Sequence, residues 1–230
     1  MRIRTMMMMI AAAFFGMLSA AWAATEPTGD LVRPEHRLEV DRLELGWADL
    51  FGRMAAVGAI RAEFTEERFF RFRIEPKRYE GEFRKSAEGS VSLAYTEVDA
   101  DADALAVHVG PDFAFYRKAD GSVSRIPAAS SQRDMLALFP WLVSMQVNKL
   151  AEVYDFYGKF DGGGAWRLVL VERADASTDY GRIYLAGHGP QVSEIVLQRS
   201  PRQKVRIEMR AVEYPEAFDA EERARFFFQP

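Results

Sequence analysis

His36, His108 and His188 are the only histidines in the chain, and no two stand at an HxH or HExxH spacing. Protein zinc sites draw on closely spaced His and Cys ligands. The sequence has no cysteine, which also removes disulfides, thiol catalysis and a lipid-modified N-terminal Cys. Asp99, Asp101 and Asp103 alternate as calcium ligands do. That loop pattern also needs a Gly at its sixth position and an acid at its twelfth, where Ala104 and Gly110 stand. Glu66 and Glu67 form an acid pair, but adjacent strand residues point to opposite faces and do not converge on one substrate. No GxSxG elbow, SxxK pair or phosphate-binding GxxxxGK run is present. Gly162-Gly163-Gly164 has no such context and reads as a hairpin turn. No catalytic residue, metal site or cofactor is therefore assigned, and the chain is not expected to be an enzyme.

What the sequence offers instead is apolar side chains in regular patterns. From about Arg42 to Val57, Leu43, Trp47, Leu50, Phe51, Met54 and Val57 recur every three or four residues. This predicts an amphipathic helix whose apolar stripe rests on another element. After Gly58 the period becomes two. Ile60, Ala62 and Phe64 alternate with polar residues, as do Tyr79, Gly81 and Phe83, then Val91, Leu93 and Tyr95, then Leu105, Val107 and Val109. Phe113 and Phe115 lead into Asp120-Gly121, a hairpin signal. Alternation resumes through Tyr154, Phe156 and Phe160, then Trp166, Leu168 and Leu170, Ile183 and Leu185, Ile195 and Leu197, and Val205, Ile207 and Met209. Phe226-Phe227-Phe228 reads as a last strand. Between the two sets, a capping-box spacing at Ser131–Asp134 precedes Met135, Leu136, Leu138, Phe139, Trp141, Leu142 and Met145. Pro140 inside this pattern is expected to divide it into two short helical pieces.

The result is mainly β (α+β): about ten or eleven antiparallel strands with one apolar face. Twisted open sheets of that size curl. The expected architecture is thus an unclosed antiparallel barrel or curled sheet, with its concave face covered by the two helical segments. Phe64, Phe83, Leu93, Tyr95, Val107, Phe115, Trp141, Leu142 and Trp166 are the expected apolar cavity residues. Trp47, Phe51, Met135, Phe139 and Trp141 are the expected lid.

The N-terminus limits where this happens. Arg2 and Arg4, an apolar run from Met6 to Leu18, and Ala21-Trp22-Ala23 read as a secretory signal peptide over residues 1–23. Residues 24–41 read as a flexible leader and 42–230 as one domain. A bacterial periplasm is the expected compartment. The whole chain carries −4, more once Arg2 and Arg4 leave. That balance argues against nucleic acid and against anionic membrane.

The order of elements resembles that of the LolA family of periplasmic lipoprotein carriers. Ala62-Glu63-Phe64-Thr65-Glu66 is similar to the family's "G-x-F-x-Q" first strand, and Tyr79-Glu80-Gly81-Glu82-Phe83 to its second. Phe113-Ala114-Phe115-Tyr116 is similar to "l-W-x-Y", Ala165–Leu170 to a later strand, and Ala224–Pro230 to the "a-x-F-x-F-x-P" finish. The family's basic residue after the second strand is replaced by Ser86, and its first-strand Gln by Glu66. The resemblance implies an unclosed barrel with a helical lid. It also implies acylated lipoprotein or other lipid-like cargo, an inner-membrane donor, an outer-membrane acceptor, and a monomer. A lipid-sensing regulatory module of the envelope is the second reading. A chain ending at its last strand ranks that reading below the first, and an enzyme on an apolar substrate ranks third.

Overall fold

The computed structural model describes residues 30–97, 106–110, 113–127, 138–176 and 178–229. Its strands are β1 (Arg37–Leu38), β2 (Ile60–Phe69), β3 (Lys77–Lys85), β4 (Val91–Glu97), β5 (Ala106–Val109), β6 (Ala114–Arg117), β7 (Val123–Arg125), β8 (Tyr154–Gly162), β9 (Ala165–Glu172), β10 (Arg182–His188), β11 (Gln191–Ser200) and β12 (Gln203–Glu213). They form one antiparallel sheet of 12 strands in the order β1-β8-β9-β10-β11-β12-β2-β3-β4-β5-β6-β7. The seam between the two halves of the chain is β12 against β2, with Met209 opposite Phe64 and Ile207 opposite Glu66. The sheet does not close, since β1 and β7 are its two ends. Edges of two and three residues leave little backbone for a stray strand to pair with.

Helix α1 (Leu45–Ala56) precedes β2. It starts at Leu45 because Val40–Arg42 forms a separate 3-10 turn. Its Trp47, Leu50, Phe51 and Met54 are all buried, as the apolar spacing requires. In the insert, residues 138–143 form a helix, α2, and Val147–Ala151 forms α3. α3 lies beyond the Met135–Met145 pattern, whose residues 135–137 lie outside the described residues, and the break follows α2, where Met145 takes φ 40°. It does not fall at Pro140, whose carbonyl accepts a helical bond from the Ser144 N–H. Asp120-Gly121 turns between β6 and β7, with Gly121 at φ 83°. Gly162 to Gly164 all take positive φ between β8 and β9, a conformation open to glycine at little cost.

One apolar cluster runs from α1 through α2 to the inner face of the sheet. It joins Trp47, Leu50, Phe51 and Met54 with Phe139 and Leu142, and with Phe83, Leu168, Ile183 and Ile195. Each such side chain fully removed from water contributes about 1.5–3 kcal/mol. The outer face carries smaller clusters of its own. Leu31, fully buried against Val169 and Tyr184, anchors one of them. Residues 30–41, expected within the leader, therefore lie on the sheet, and Arg37–Leu38 pairs with Tyr157 and Phe156.

The other outer cluster corrects the expectation of a final strand. Ala220–Phe226 is a helix, α4, capped by Asp219, whose side chain accepts the Glu222 N–H at 2.8 Å. Glu221 and Glu222 in its first turn and Arg223 and Arg225 in its last complement the helix dipole. The signal was Asp-Ala-Glu-Glu-Arg-Ala-Arg, which outweighs the β-propensity of the three phenylalanines behind it. Arg61 and Arg84 both bond Glu222, at 2.7 and 3.2 Å. Phe226 and Phe228 then pack on Ala94, Ala106 and Phe115.

His108 closes this strap. It is buried, its Nδ1 donates to the Phe228 carbonyl at 2.7 Å, and Phe113, Phe227 and Phe228 surround its ring. Nε2 has no hydrogen-bond partner among the described residues. Burial lowers the pKa of this imidazole below the ordinary 6.5, against a raising effect from Phe228. Folding therefore favours the neutral ring. The stability it contributes is complete above 6.5 and is lost as the pH falls through the lower folded-state value. Corrected for the intrinsic slowing of amide exchange at lower pH, hydrogen exchange of residues 218–228 is expected to accelerate on acidification before the sheet opens. The acceleration should disappear in His108→Gln, which carries no titrating ring.

Candidate functional site

The interface between the helical lid and the inner face is the candidate site. Its geometry starts from close approaches at glycine. Trp47 lies so tightly on β8 that a Cβ at Gly158 would stand 2.5 Å from its ring. The same ring stacks on Phe160 with centroids 4.4 Å apart and meets Phe51 at 5.5 Å. On α2, Phe139 meets Phe83 edge-on at 6.1 Å, a favoured arrangement for aromatic pairs. The far end of α1 is held by Lys85. Its Nζ donates to the carbonyls of Val57 and Gly58 at 2.7 and 2.9 Å, satisfying orphan acceptors past the helix end. Burial lowers the pKa of this ammonium.

Beside that helix end lies a narrow crevice. Val57, Ile60, Phe83, Val143, Val192, Met209, Val212 and Tyr214 line it, together with Pro190 and Gln191. It is an apolar seam between the lid and the β11–β12 half of the sheet.

At the opposite end of β2 the inner face turns polar. Glu66 is 4% exposed and faces inward with Phe64. It pairs with Arg68, and its second oxygen accepts the Tyr95 hydroxyl at 2.8 Å. Arg68 also lies over the Tyr79 ring at 4.4 Å. Burial alone would lower the pKa of Arg68, but the neighbouring Glu66 charge more than reverses this and the guanidinium ends above its ordinary value. Burial, with the Glu66 charge added, pushes the Tyr95 phenol well above its usual range. A charge pair in this setting requires its partners, because removing one strands the other in a low-dielectric environment.

The expected site residues are placed as follows. Phe64, Phe83, Leu93, Leu142 and Trp166 belong to the main inner cluster. Tyr95 and Trp141 are partly buried against it. Lys149 lies 5.4 Å from the Trp141 ring, on the solvent side of the lid. Val107 lies opposite Leu93 on the inner face and packs in a smaller cluster with Val109, Ala114 and Ile126. Phe115 is the correction. It lies opposite His108, one residue out of phase with Leu93, and so sits on the outer face under the C-terminal strap. Of the lid residues, Trp47, Phe51 and Phe139 are buried in the main cluster. Met135, together with Asp99, Asp101 and Asp103 and residues 1–23, lies outside the described residues. The sequence reading missed the Glu66–Arg68–Tyr95 network. Its signal was Glu66 standing in phase with Ala62 and Phe64, an inward charge that needs a partner. Among the described residues no group of His, Asp and Glu is arranged to hold a metal ion, and no helix is long and apolar enough to cross a membrane.

No protein-family model matches the chain, and no curated protein matches it. Among solved structures it is similar to an uncharacterized conserved protein from Thermus thermophilus, with 8% identity over 80% of this chain and 94% of that one, TM-score 0.46. A domain described as outer membrane lipoprotein-sorting, from Vibrio parahaemolyticus, shares 10% identity over 76% and 93%, TM-score 0.43. A LolA superfamily protein from Nitrosomonas europaea shares 8% over 75% and 94%, TM-score 0.43. At such identities, function rests on this chain's own residues.

Two predictions test the site. Gly158→Ala is expected to cost about 1–3 kcal/mol by displacing Trp47. Adding Trp47→Leu should recover part of that loss in urea melts. Arg68→Met is expected to cost about 3 kcal/mol because Glu66 stays buried and unpaired. Glu66→Leu should cost less, since the Arg68 side chain is 35% exposed and reaches water. The double variant should recover most of the Arg68→Met loss. Strict additivity in the cycle would mean that the two side chains do not interact.

Proposed function

We propose that this protein is a periplasmic carrier that shields the acyl chains of a lipoprotein or another acylated molecule between its helical lid and its sheet. In this reading it takes them from an inner-membrane donor to an outer-membrane acceptor. The observation that carries the reading is the make-up of the lid contact. α1 and α2 cover the inner face through Trp47, Leu50, Phe51, Met54, Phe139 and Leu142. Lys85 supplies a polar tie between the end of α1 and the sheet, and among the described residues the rest of that contact is apolar. Such a contact exchanges one apolar partner for another at little net cost. An acyl chain entering at the crevice replaces apolar lid–sheet contacts with chain contacts, provided the Lys85 bonds to Val57 and Gly58 stay in place. Its own burial is worth about 0.8 kcal/mol per CH2, and lid displacement offsets part of that, which keeps release feasible. The signal-peptide pattern of residues 1–23 supports the compartment.

The test is mass spectrometry of an organic extract from protein purified out of the periplasm, with uptake of a fluorescent apolar probe alongside. Trp141→Glu is the companion variant, since Trp141 is only partly buried and a carboxylate there charges the lid without opening the core. Acylated species should co-purify with the wild type, and probe uptake should fall in the variant. A clean extract together with no probe uptake would sink the carrier reading.

A further inference from the structure

The loop between β2 and β3 has a composition that its place in the fold does not call for. It runs Phe70-Arg71-Phe72-Arg73-Ile74-Glu75-Pro76. A hairpin loop of a water-facing sheet ordinarily carries small and polar residues. Here Phe72 is 92% exposed, Ile74 is fully exposed and Phe70 is 39% exposed. None of them belongs to an apolar cluster of the fold. Arginines alternate with them. Arg71 stacks beside Phe72, with Cζ 5.5 Å from the ring. No carboxylate lies within ion-pair distance of Arg71 or Arg73 among the described residues.

The adjoining hairpin adds to the same end. Lys204 lies opposite Phe69 across the seam and sits 5.0 Å from its ring, and exposed Arg202 occupies the β11–β12 turn. Arg78 follows at the start of β3, although it is paired with Glu67 at 2.9 Å. Within the loop Glu75 is the lone acid.

We propose that this loop is a membrane-docking tip, inserting Phe72 and Ile74 among the lipids of an anionic bilayer while Arg71 and Arg73 engage lipid phosphates. Charge and shape favour a bilayer over a protein partner. The chain as a whole is negative, which argued against anionic membranes, but attraction over a Debye length of about 10 Å depends on the local charge. At this tip the local sign is reversed. A stable protein interface buries roughly 800 Å² per partner, more than a single loop tip presents. Aromatic side chains interleaved with arginine suit the headgroup layer, where rings take the apolar boundary and guanidinium groups the phosphates. The tip stands at the end of β2 remote from the crevice beside Ile60, so docking would leave that crevice free.

This inference goes beyond the carrier reading and rests on different residues, so each fails separately. The test is flotation of the purified full chain with vesicles of phosphatidylcholine alone, or containing about a third phosphatidylglycerol. The wild type should bind the anionic vesicles and be released by salt. Arg71→Ser/Arg73→Ser should weaken that binding about tenfold or more. Phe72→Ser/Ile74→Ser should weaken it about tenfold or more. Both variants should keep the wild-type melting temperature and apolar-probe uptake, since these side chains touch no core. No binding of the wild type to anionic vesicles, or binding that both loop variants leave unchanged, overturns the proposal. Loss of probe uptake with vesicle binding intact would count against the carrier reading alone.

Discussion

An antiparallel sheet of 12 strands with one apolar face, whose two ends do not meet, is the constraint from which the rest of this molecule follows. Twist curls such a sheet. Closure would have buried the inner face without help. The end strands prevent it, because β1 offers two residues and β7 three. The inner face must therefore be covered by something outside the ladder, and α1 and α2 are what the chain supplies. The seat of Trp47 on Gly158 and the hold of Lys85 on the end of α1 are the local devices that fix this cover in place.

The two faces are held by different kinds of interaction. On the outer face, α4 is tied by Arg61 and Arg84 to Glu222, by Arg225 to Glu82, and by His108 to the Phe228 carbonyl. Lifting it would leave Arg84, 7% exposed at its side chain, with Glu82 at 3.4 Å but without Glu222. On the inner face the lid rests on apolar contact, which carries no direction and tolerates sliding or replacement. The outer strap is thus a polar closure, and on the inner face the end of α1 is tied by Lys85 whereas α2 rests on apolar contact.

Much of this was legible in the sequence because its signals are periodic. The 3-4 spacing of Trp47, Leu50, Phe51 and Met54 identified α1 and its buried stripe. Period-two alternation identified most strands, and Asp120-Gly121 and Gly162–Gly164 identified two turns. Failures came where a local signal competed with a stronger one. Phe226–Phe228 looked like a strand, but the capped, charge-patterned residues before it start a helix. Phe115 was assigned to the inner face from the strand pattern Phe113–Tyr116 leading into Asp120-Gly121. Its phase relative to Leu93 is set by the register of β4, β5 and β6, and a shift of one residue reverses the face. Pairings across long sequence separations, such as Arg84 with Glu222, leave no local trace.

The inner face is not uniform along the strands, and that gives the carrier reading a direction. At the Ile60 end it carries the crevice, with Lys85 opposite Ile60 turned to the carbonyls at the end of α1. Six residues further along β2, about 20 Å at strand rise, the β2–β4 side carries Glu66, Arg68 and Tyr95, while at the same level β9–β12 keep Leu170, Ile183, Leu197 and Val205. A hydrocarbon chain advancing from the crevice gains contact until it reaches that network, where going further would mean displacing a buried ion pair with nothing to replace its hydrogen bonds. In the carrier reading the network would bound the apolar surface on the β2–β4 side. Phe64, whose ring packs edge-on to Tyr95 with centroids 5.4 Å apart, marks where the apolar surface stops on that side. An inward-facing charge pair on a carrier's wall costs stability as packing. In the carrier reading it would limit entry along β2–β4 and hold the attached head group nearer the mouth.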